Sequence, residues 1–324
     1  TMLFLSSLMT LSSPNWLGMW MGLEFNLMSF IPLISKLKDK ESSQAMMIYF
    51  MAQSIGSITL LFAILMNSLM FMNPNLVTEL IKMTAMIGLF VKLGAAPFHL
   101  WLPEMMANLN WEECLLLMTW QKLAPLHVLY SLMNTNNWLF YSSVILCNLI
   151  GGFGGLNQTS LRKIFAYSSI SHMGWMFMML STQSTYYKYL IIYSILMSMM
   201  CLLLKSKNAL YINQLNSMMP SFSEKLLFST LMLSIGGLPP FLGFLPKWMV
   251  IQGMIESKMY FLMMFMMLTS LLTLFYYMRM MVPFLMNYTT MNKWMLWNIN
   301  NKKMLFLFSF INFMLPMFMM FSFF

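Results

Sequence analysis

The sequence predicts an all-α polytopic membrane protein with about eleven transmembrane helices, on the evidence of its composition and of its recurring long apolar stretches. Apolar residues occupy 60% of the 324 positions and charged residues only 8%. Soluble domains have roughly 45–50% apolar and about 25% charged residues, so this chain has too few charges to cover a water-facing surface. Apolar stretches near the length of about 20 residues that a bilayer-spanning helix needs recur from end to end.

The eleven predicted helices follow from these stretches and from the turn-forming residues between them. The first apolar stretch leads directly into a short second one, which argues against a cleavable signal. Turn-forming segments such as 73–75 (Asn-Pro-Asn) and 134–137 (Asn-Thr-Asn-Asn) separate later helices. The predicted ranges are 3–21, 24–36, 44–70, 75–99, 113–133, 137–157, 164–182, 186–206, 224–256, 259–283 and 304–323.

The distribution of basic residues predicts the orientation in the membrane. Loops after even-numbered helices carry most of them, namely Lys36, Lys38, Lys40, Arg162, Lys163, Lys205, Lys207, Lys293, Lys302 and Lys303, while the opposite loops carry mainly Lys188 and Lys258. Because basic loops stay on the side of synthesis, the N-terminus is expected on the inner side and the C-terminus outside. With 45 methionines, and lysine outnumbering arginine 16 to 2, the composition is typical of an AT-rich mitochondrial genome. The inner side is then the matrix of mitochondria, and the outer side is the intermembrane space.

The charge and cysteine patterns exclude other kinds of site. Lys plus Arg outnumber Asp plus Glu by 18 to 9, but the basic residues are scattered singly and are not interleaved with stacking aromatics. A nucleic-acid groove is therefore not expected. Cys114, Cys147 and Cys201 lie far apart without a CxxC pair or a histidine cluster, so neither a metal site nor a disulfide is predicted.

Two helices are predicted to be broken at membrane depth. Residues 92–99 read Lys-Leu-Gly-Ala-Ala-Pro-Phe-His and residues 236–248 read Gly-Gly-Leu-Pro-Pro-Phe-Leu-Gly-Phe-Leu-Pro-Lys-Trp, so both contain Gly-x-x-Pro-Phe. Proline removes a backbone donor and clashes with the preceding turn. Unwound backbone is tolerated at this depth only where protein or a wet cavity covers it. The break residues are Gly94, Pro97, Gly237, Pro239 and Pro240.

The spacing of the breaks predicts inverted repeats. The two broken helices are five helices apart and therefore run in opposite senses, which is typical of inverted-repeat transporters with a working site at the interruptions. We expect a first half over 1–135, a second half over 136–285, and a loop with a last helix over 286–324. Glycine and proline are common in membrane helices, so the alternative is that the breaks only serve packing.

Several ionisable residues are predicted to lie inside the bilayer. Lys92 and Lys122 fall near mid-membrane, Lys247 directly follows the second break, and Glu24 is predicted to open the second helix. An ionisable side chain at the bilayer centre costs roughly 2.5–3.5 kcal/mol, so such residues usually mark ion or proton paths. Burial disfavours a charged ammonium and a nearby carboxylate favours it, so a Lys92 paired with Glu24 is suited to loading and releasing a proton. Lys82 lies nearer a helix end, where a lysine can instead reach the headgroups.

Two histidines are further candidates for the relay. Neutral imidazole both accepts and donates a proton, which makes His99 and His172 candidates, with a structural role as the alternative for each. Residues 151–155 (Gly-Gly-Phe-Gly-Gly) superficially resemble a phosphate-binding loop, but they follow a membrane helix and lack the Gly-Lys-Ser continuation. Tight helix packing is the simpler interpretation. No nucleophile–base pair and no redox-centre ligand set is found.

Five segments of the chain resemble the subunit 2 family of mitochondrial NADH dehydrogenase. They are residues 22–26 (Gly-Leu-Glu-Phe-Asn), 92–104 from Lys92 to Glu104, 119–125 (Thr-Trp-Gln-Lys-Leu-Ala-Pro), 167–175 from Tyr167 to Trp175, and 236–248. The resemblance spans nearly the whole chain in order and is weakest over 257–324. The family is one of the antiporter-like subunits in the membrane arm of respiratory complex I, whose larger relatives have three more helices at the N-terminus.

The resemblance implies a function and a set of partners. It implies that Glu24 and Lys92 form a coupling pair, that Lys122 is the central relay and that Lys247 is the outlet-side lysine. It also implies a complex that uses NADH, FMN, iron–sulfur clusters and ubiquinone in other subunits, with none bound by this chain. Subunits 4 and 4L are the expected neighbours, and phospholipids such as cardiolipin are expected near the basic loops. Two alternatives stay open, a stand-alone cation/proton antiporter and a structural membrane scaffold.

Overall fold

The computed structural model describes residues 1–35, 40–66, 74–133, 138–182, 185–215, 219, 221–286 and 302–314. Over these residues the chain is helical and contains no strand. The helices are α1 Met2–Ser12, α2 Trp16–Ile34, α3 Lys40–Met66, α4 Pro74–Leu93, α5 Trp101–Asn108, α6 Trp111–Met118, α7 Trp120–Leu132, α8 Trp138–Leu156, α9 Leu161–Ser181, α10 Tyr186–Lys207, α11 Phe222–Gly236, α12 Phe244–Glu256, α13 Tyr260–Met286 and α14 Lys302–Asn312.

The fold is that of a polytopic membrane protein. Five of the described helices, α2, α3, α8, α10 and α13, are long and apolar enough to cross a bilayer. The all-α prediction is thereby confirmed, whereas the number eleven stays a prediction. The chain divides into two compact units, Thr1–Cys147 and Asn148–Phe324. The inverted-repeat relation and the three predicted segments stay predictions.

The outer surface of α3 shows why the chain requires lipid. Its exposed residues are large and apolar and recur at helical spacing, for example Met51, Ile55, Ile58 and Phe62. Its buried residues are small or polar except for Leu60; the others are Ser42, Ala45, Tyr49, Gln53, Gly56, Ser57 and Ala63. Small and polar residues between helices are typical of membrane bundles, where lipid tails solvate the apolar face.

The predicted boundary between the first two helices is wrong. The first helix ends at Ser12, and the second begins at Trp16 in place of residue 24. Proline disfavours the helical conformation of the residue before it, and Ser13, which precedes Pro14, is extended at φ −77° and ψ 124°. Glu24 consequently lies in the middle of α2 and does not open a helix.

The predicted helix over 113–133 is also wrong, because it is interrupted at Thr119. This residue has φ −114° and ψ −70°, and its hydroxyl donates to the Leu115 carbonyl at 2.7 Å. Such back-bonding of a threonine to the residue four positions earlier bends a helix. Lys122 therefore lies in the first turn of α7, beside an interruption, and not in the middle of a continuous helix.

Both predicted breaks are present, and both end a helix in the same way. Gly94 has φ +67° and Gly237 has φ +79°, a left-handed conformation that glycine adopts without steric cost. The next amide turns back to a carbonyl five residues earlier, from Ala95 to Phe90 at 2.9 Å and from Leu238 to Leu233 at 3.2 Å. This is the Schellman arrangement of a helix C-terminus, and the prolines that follow prevent the helix from continuing.

The second unit is organised around α9, which is buried along nearly its whole length. The glycines of α8 allow close packing, since a Cβ added at Gly151 would lie 2.6 Å from the Ser171 backbone nitrogen, and one at Gly154 would lie 2.4 Å from the Tyr167 ring. The packing interpretation of residues 151–155 therefore agrees with the structure. The Arg279 guanidinium on α13 donates to the carbonyl of Leu156 at the end of α8.

Candidate functional site

The first unit contains a polar cavity beside its broken helix. The cavity measures about 20 Å³, and about 10–15 Å³ is enough to hold one water molecule. Lys92 and Lys122 both line it, although they come from different helices. The remaining lining residues are Leu23, Asn26, Tyr49, Gln53, Leu93, Trp101, Leu102, Leu117, Gln121 and Pro125. Two of the predicted lysines thus share one polar space.

Lys92 is positioned by the end of α4. Both Lys92 and Val91 lie in the last turn, where helix carbonyls lack a partner within the helix. The Lys92 carbonyl accepts from Gln53 Nε2 at 2.9 Å, and the Val91 carbonyl accepts from Trp101 Nε1 at 3.1 Å. The break is therefore held by side chains of α3 and α5. Lys92 is only 5% exposed and forms part of the cavity lining.

A close contact between α3 and α4 shapes the space for the Lys92 side chain. A Cβ added at Gly56 would lie 2.7 Å from Lys92 Cγ and 2.9 Å from the Gly88 carbonyl oxygen. A Cβ added at Gly88 would lie 3.0 Å from the Gly56 carbonyl oxygen. The two glycines face one another, so the lysine stem passes directly over the α3 backbone.

Glu24 lies near this site on α2. Its charge interacts with that of Lys92. Its Oε1 atom is buried and has no hydrogen-bond partner in the described part of the chain. A buried carboxylate oxygen of this kind is suited to accept a proton or to bind water.

Lys122 is held at the second interruption of the unit. It is 2% exposed. The residue before it, Gln121, accepts from Asn26 Nδ2 on α2 at 2.7 Å. Lys122 also interacts electrostatically with Cys147 on α8, whose sulfur accepts from the Ala96 amide at 3.2 Å. The first turn of α7 is therefore bonded to α2 through Gln121. Lys122 itself interacts with the cysteine that bonds to the unwound segment after Gly94.

The second unit places Lys247 directly on its break. Lys247 Nζ donates to the Gly236 carbonyl at 2.6 Å and lies 5.7 Å from the centre of the Trp175 ring. The carbonyl belongs to the C-terminal end of α11, where a cation is favoured. A Cβ added at Gly237 would lie 2.6 Å from Lys247 Cδ, so a side chain at this position would displace the end of the lysine.

His172 lies one turn before Trp175 on α9 and is surrounded by tyrosines. Its Nδ1 is 2.8 Å from the Tyr189 hydroxyl, and its ring centroid is 4.9 Å from that of Tyr193. From α13, Tyr276 interacts with Ser171 and Tyr277 with Ser168. We call these seven residues the His172 cluster: Ser168, Ser171, His172, Tyr189, Tyr193, Tyr276 and Tyr277. All seven side chains are buried, and each carries a hydroxyl or imidazole group that can both donate and accept a hydrogen bond.

Two predicted relay residues lie away from these sites. Lys82 is half-buried and precedes Lys92 by ten residues, roughly 15 Å along the helix axis. His99 is half-buried in the segment after the first break, with Nδ1 at 3.1 Å from the Pro97 carbonyl oxygen. Neither lines the cavity, and their roles stay predictions.

Sequence reasoning missed the uncharged polar residues of both sites. In the first unit these are Asn26, Tyr49, Gln53 and Gln121, and in the second they are the four tyrosines of the His172 cluster. A signal existed on α3, where Tyr49, Gln53 and Ser57 recur at four-residue spacing inside an apolar helix. That spacing places the three side chains on one face.

Comparison with known proteins identifies close relatives. Residues 13–273 match the family model described as NADH:quinone oxidoreductase/Mrp antiporter, TM. The chain is 45% identical over 311 residues to NADH-ubiquinone oxidoreductase chain 2 of Anopheles gambiae, covering 94% of this chain and 89% of the relative. It is 38% identical over 312 residues to the protein of the same name from Loxodonta africana, covering 94% and 90%.

Solved structures share the fold. A chain of respiratory complex I from Thermus thermophilus superposes with a TM-score of 0.80 at 22% identity, covering 87% of this chain and 68% of that chain. A chain of the Mrp complex from Dietzia sp. superposes with a TM-score of 0.78 at 16% identity, covering 86% and 58%. At these identities the likeness concerns the fold alone.

Proposed function

The chain belongs to the NADH-ubiquinone oxidoreductase chain 2 family, and from this premise we propose that it translocates protons as an antiporter-like core subunit of NADH:ubiquinone oxidoreductase. The observation that carries the proposal is the cavity of the first unit, which is lined by both Lys92 and Lys122. Two lysines in one buried polar space are costly in a bilayer, and residues kept at that cost usually mark ion or proton paths.

The transfer step in the first unit requires only lysines and water. An ammonium on Lys92 donates a proton to a water molecule in the cavity, and that water gives its other proton to a neutral Lys122. The cavity volume of about 20 Å³ suits a single water. Glu24 controls when the proton leaves Lys92. The charged carboxylate stabilises the ammonium form of Lys92, and neutralising the carboxylate favours release of the proton from Lys92.

The second unit supplies a separate set of groups for the same chemistry. Lys247 is the proton carrier at the break, where the Gly236 carbonyl and the Trp175 ring stabilise its ammonium form. The His172 cluster begins one turn before Trp175 along α9. Its imidazole and hydroxyl groups can both donate and accept a proton. Protons therefore pass along the side chains that α9, α10 and α13 bring together, starting with the His172–Tyr189 contact between α9 and α10.

The driving reaction belongs to other subunits. NADH, FMN, iron–sulfur clusters and ubiquinone act elsewhere in the complex, and this chain contributes no redox centre. Its neighbours are other membrane-arm subunits, among them subunits 4 and 4L, and cardiolipin binds near its basic loops. The protein lies in the mitochondrial inner membrane with its N-terminus in the matrix and its C-terminus in the intermembrane space.

A second candidate is a stand-alone cation/proton antiporter, which the description of the matching family as NADH:quinone oxidoreductase/Mrp antiporter favours. Cation binding normally uses oxygen ligands, particularly carboxylates. The side chains that line the cavity instead contribute ammonium, amide, hydroxyl and indole groups. This chemistry favours proton transfer over metal-cation binding.

The test replaces the two cavity lysines in the assembled complex. Lys92→Met and Lys122→Met are expected to remove most proton translocation per NADH oxidised, measured in vesicles, while assembly is retained. Lys258→Met, in the exposed turn after α12, is the matched control. If both cavity variants translocate protons at the wild-type ratio, the chain is a scaffold and the proposal fails.

The role of Glu24 has its own test. Glu24→Gln keeps the shape and removes the charge, so translocation should fall while assembly is unchanged. Unaltered translocation in this variant would refute the pairing with Lys92 without affecting the lysine relay.

A further inference from the structure

A pair of buried side-chain amides joins α2 to α7 at the wall of the cavity. Asn26 Nδ2 donates to Gln121 Oε1 at 2.7 Å, and the Tyr49 hydroxyl lies 3.5 Å from the same oxygen. Both amides line the cavity together with Lys92 and Lys122. Asn26 is two residues after Glu24 on α2, and Gln121 is next to Lys122 on α7. This hydrogen bond therefore joins the helix that carries Glu24 to the helix that carries Lys122.

Each amide keeps one buried polar atom that the bond between them does not use. Among the described residues, Asn26 Oδ1 and Gln121 Nε2 have no hydrogen-bond partner. Leaving such atoms without a partner is costly, and buried water normally satisfies them through about three hydrogen bonds. One atom accepts and the other donates, so together they fit a single water molecule between them.

We infer that Asn26 and Gln121 are positioning residues, which hold and orient the water that carries the proton between Lys92 and Lys122. The inference rests on the proposed function. Gln121 Nε2 donates to the water oxygen, and the water donates one hydrogen to Asn26 Oδ1. One lone pair then remains to accept from Lys92 and one hydrogen remains to donate to Lys122.

This arrangement completes the four hydrogen bonds of water and fixes the direction of each. When Lys92 releases its proton to the oxygen, the hydrogen directed at Lys122 leaves at the same time. One N–H bond breaks at Lys92 and one forms at Lys122, the water is regenerated, and the net charge of the site is unchanged. A water that was free to rotate would present these two positions only part of the time.

Amides suit this role because they do not ionise between the two lysines. A carboxylate at position 26 would stabilise whichever ammonium lies nearer and would hold the proton there. An apolar residue would leave the water without its orientation. Glutamine provides the donor and asparagine the acceptor without either effect.

The test uses Asn26→Leu, Gln121→Met and the double variant in the assembled complex reconstituted into vesicles. Proton translocation and NADH oxidation are measured in H₂O and in D₂O. Each single variant should slow translocation by about tenfold, the factor that corresponds to about 1.4 kcal/mol in a barrier. Each should also increase the solvent isotope effect, which a purely structural role would leave unchanged. The double variant should be no slower than the slower single variant, because both changes remove the same water.

A control variant and three contrary results distinguish failure of the amide role from failure of the proposed function. Ser29→Ala removes a hydroxyl that bonds to the Asn26 carbonyl within α2, and it should behave as wild type. Wild-type translocation in both amide variants, with inactive lysine variants, overturns the inference and leaves the proposed function standing. Effects that multiply in the double variant also overturn it. Active lysine variants instead overturn the proposed function.

A second measurement decides the question if the amide variants do not assemble. A high-resolution map of the wild-type complex should show a water within about 3.2 Å of both Asn26 Oδ1 and Gln121 Nε2. A dry site, or a neighbouring side chain in place of the water, overturns the inference.

Discussion

Replacing Gly56 by alanine should impair proton translocation more than it impairs stability. The new Cβ would lie 2.7 Å from Lys92 Cγ and 2.9 Å from the Gly88 carbonyl oxygen. Carbon atoms in ordinary contact are about 3.5 Å apart, so the lysine stem or the helix must move by roughly 0.8 Å. The lysine would then be displaced from its place in the cavity lining.

The expected losses of stability and of proton translocation in Gly56→Ala can be estimated separately. Two opposing effects determine the stability. Overpacking costs about 1–3 kcal/mol, and alanine recovers about 0.5–1 kcal/mol over glycine in a helix. The net loss of stability is therefore modest. A misplacement of about 1 Å at a reacting group can cost about a hundredfold in rate, so we expect a loss of tenfold or more in proton translocation.

The assay compares Gly56→Ala with Gly88→Ala in the assembled complex. At Gly88 the added Cβ would meet Thr59 Oγ1 at 2.7 Å and the Gly56 carbonyl oxygen at 3.0 Å. Both variants push α3 and α4 apart, but only the first has Lys92 among its nearest atoms. Proton translocation per NADH and the amount of assembled complex are measured for both.

Either of two results would contradict a role for Gly56 in positioning Lys92. In the first, Gly56→Ala assembles and translocates protons at the wild-type rate. In the second, Gly88→Ala loses as much translocation as Gly56→Ala at equal assembly, which would mean that helix separation alone is responsible.

Three further variants test other parts of the structure. Gly237→Ala places a Cβ 2.6 Å from Lys247 Cδ at φ +79°, a conformation that costs L-residues about 1–2 kcal/mol, so both assembly and translocation should fall; wild-type values of both would contradict the close packing at this break. Gly151→Ala places a Cβ 2.6 Å from the Ser171 backbone nitrogen, so α8 and α9 should separate and the complex should unfold at a lower temperature in a thermal-shift measurement, unless the interpretation of tight packing is incorrect. Ser221→Ala removes the side-chain oxygen that accepts from the Glu224 amide at the start of α11, which should lower stability by about 1 kcal/mol and leave the translocation ratio unchanged; a changed ratio would show that this cap has a role beyond stability.

Some features could be predicted from the sequence because their causes are local. Glycine ends a helix readily and a proline shortly after it prevents the helix from continuing, so the interruptions after Gly94 and Gly237 required no knowledge of the neighbouring helices. A charged side chain deep in an apolar stretch is costly in any membrane fold, and this singled out Lys92, Lys122 and Lys247.

The two missed boundaries differ in their local signals. The end of α1 had one, the turn-forming cluster Ser12-Ser13-Pro14-Asn15, but the apolar stretches on both sides of it led to one helix being predicted. At Thr119 the interruption rests on a side-chain bond to the Leu115 carbonyl, which a threonine in a membrane helix forms without always bending the chain.

The sequence by itself determined the membrane class, the two breaks and the lysines, because each depends on a residue and the solvent around it. Only the tertiary structure decided which of these residues share a site. Asn26 and Gln121 are 95 positions apart, and Gly56 contacts Lys92 from a different helix. Uncharged polar residues and glycines occur throughout membrane helices for packing. Their contribution to the cavity therefore depends on which helix faces lie together, and no stretch of sequence contains that information.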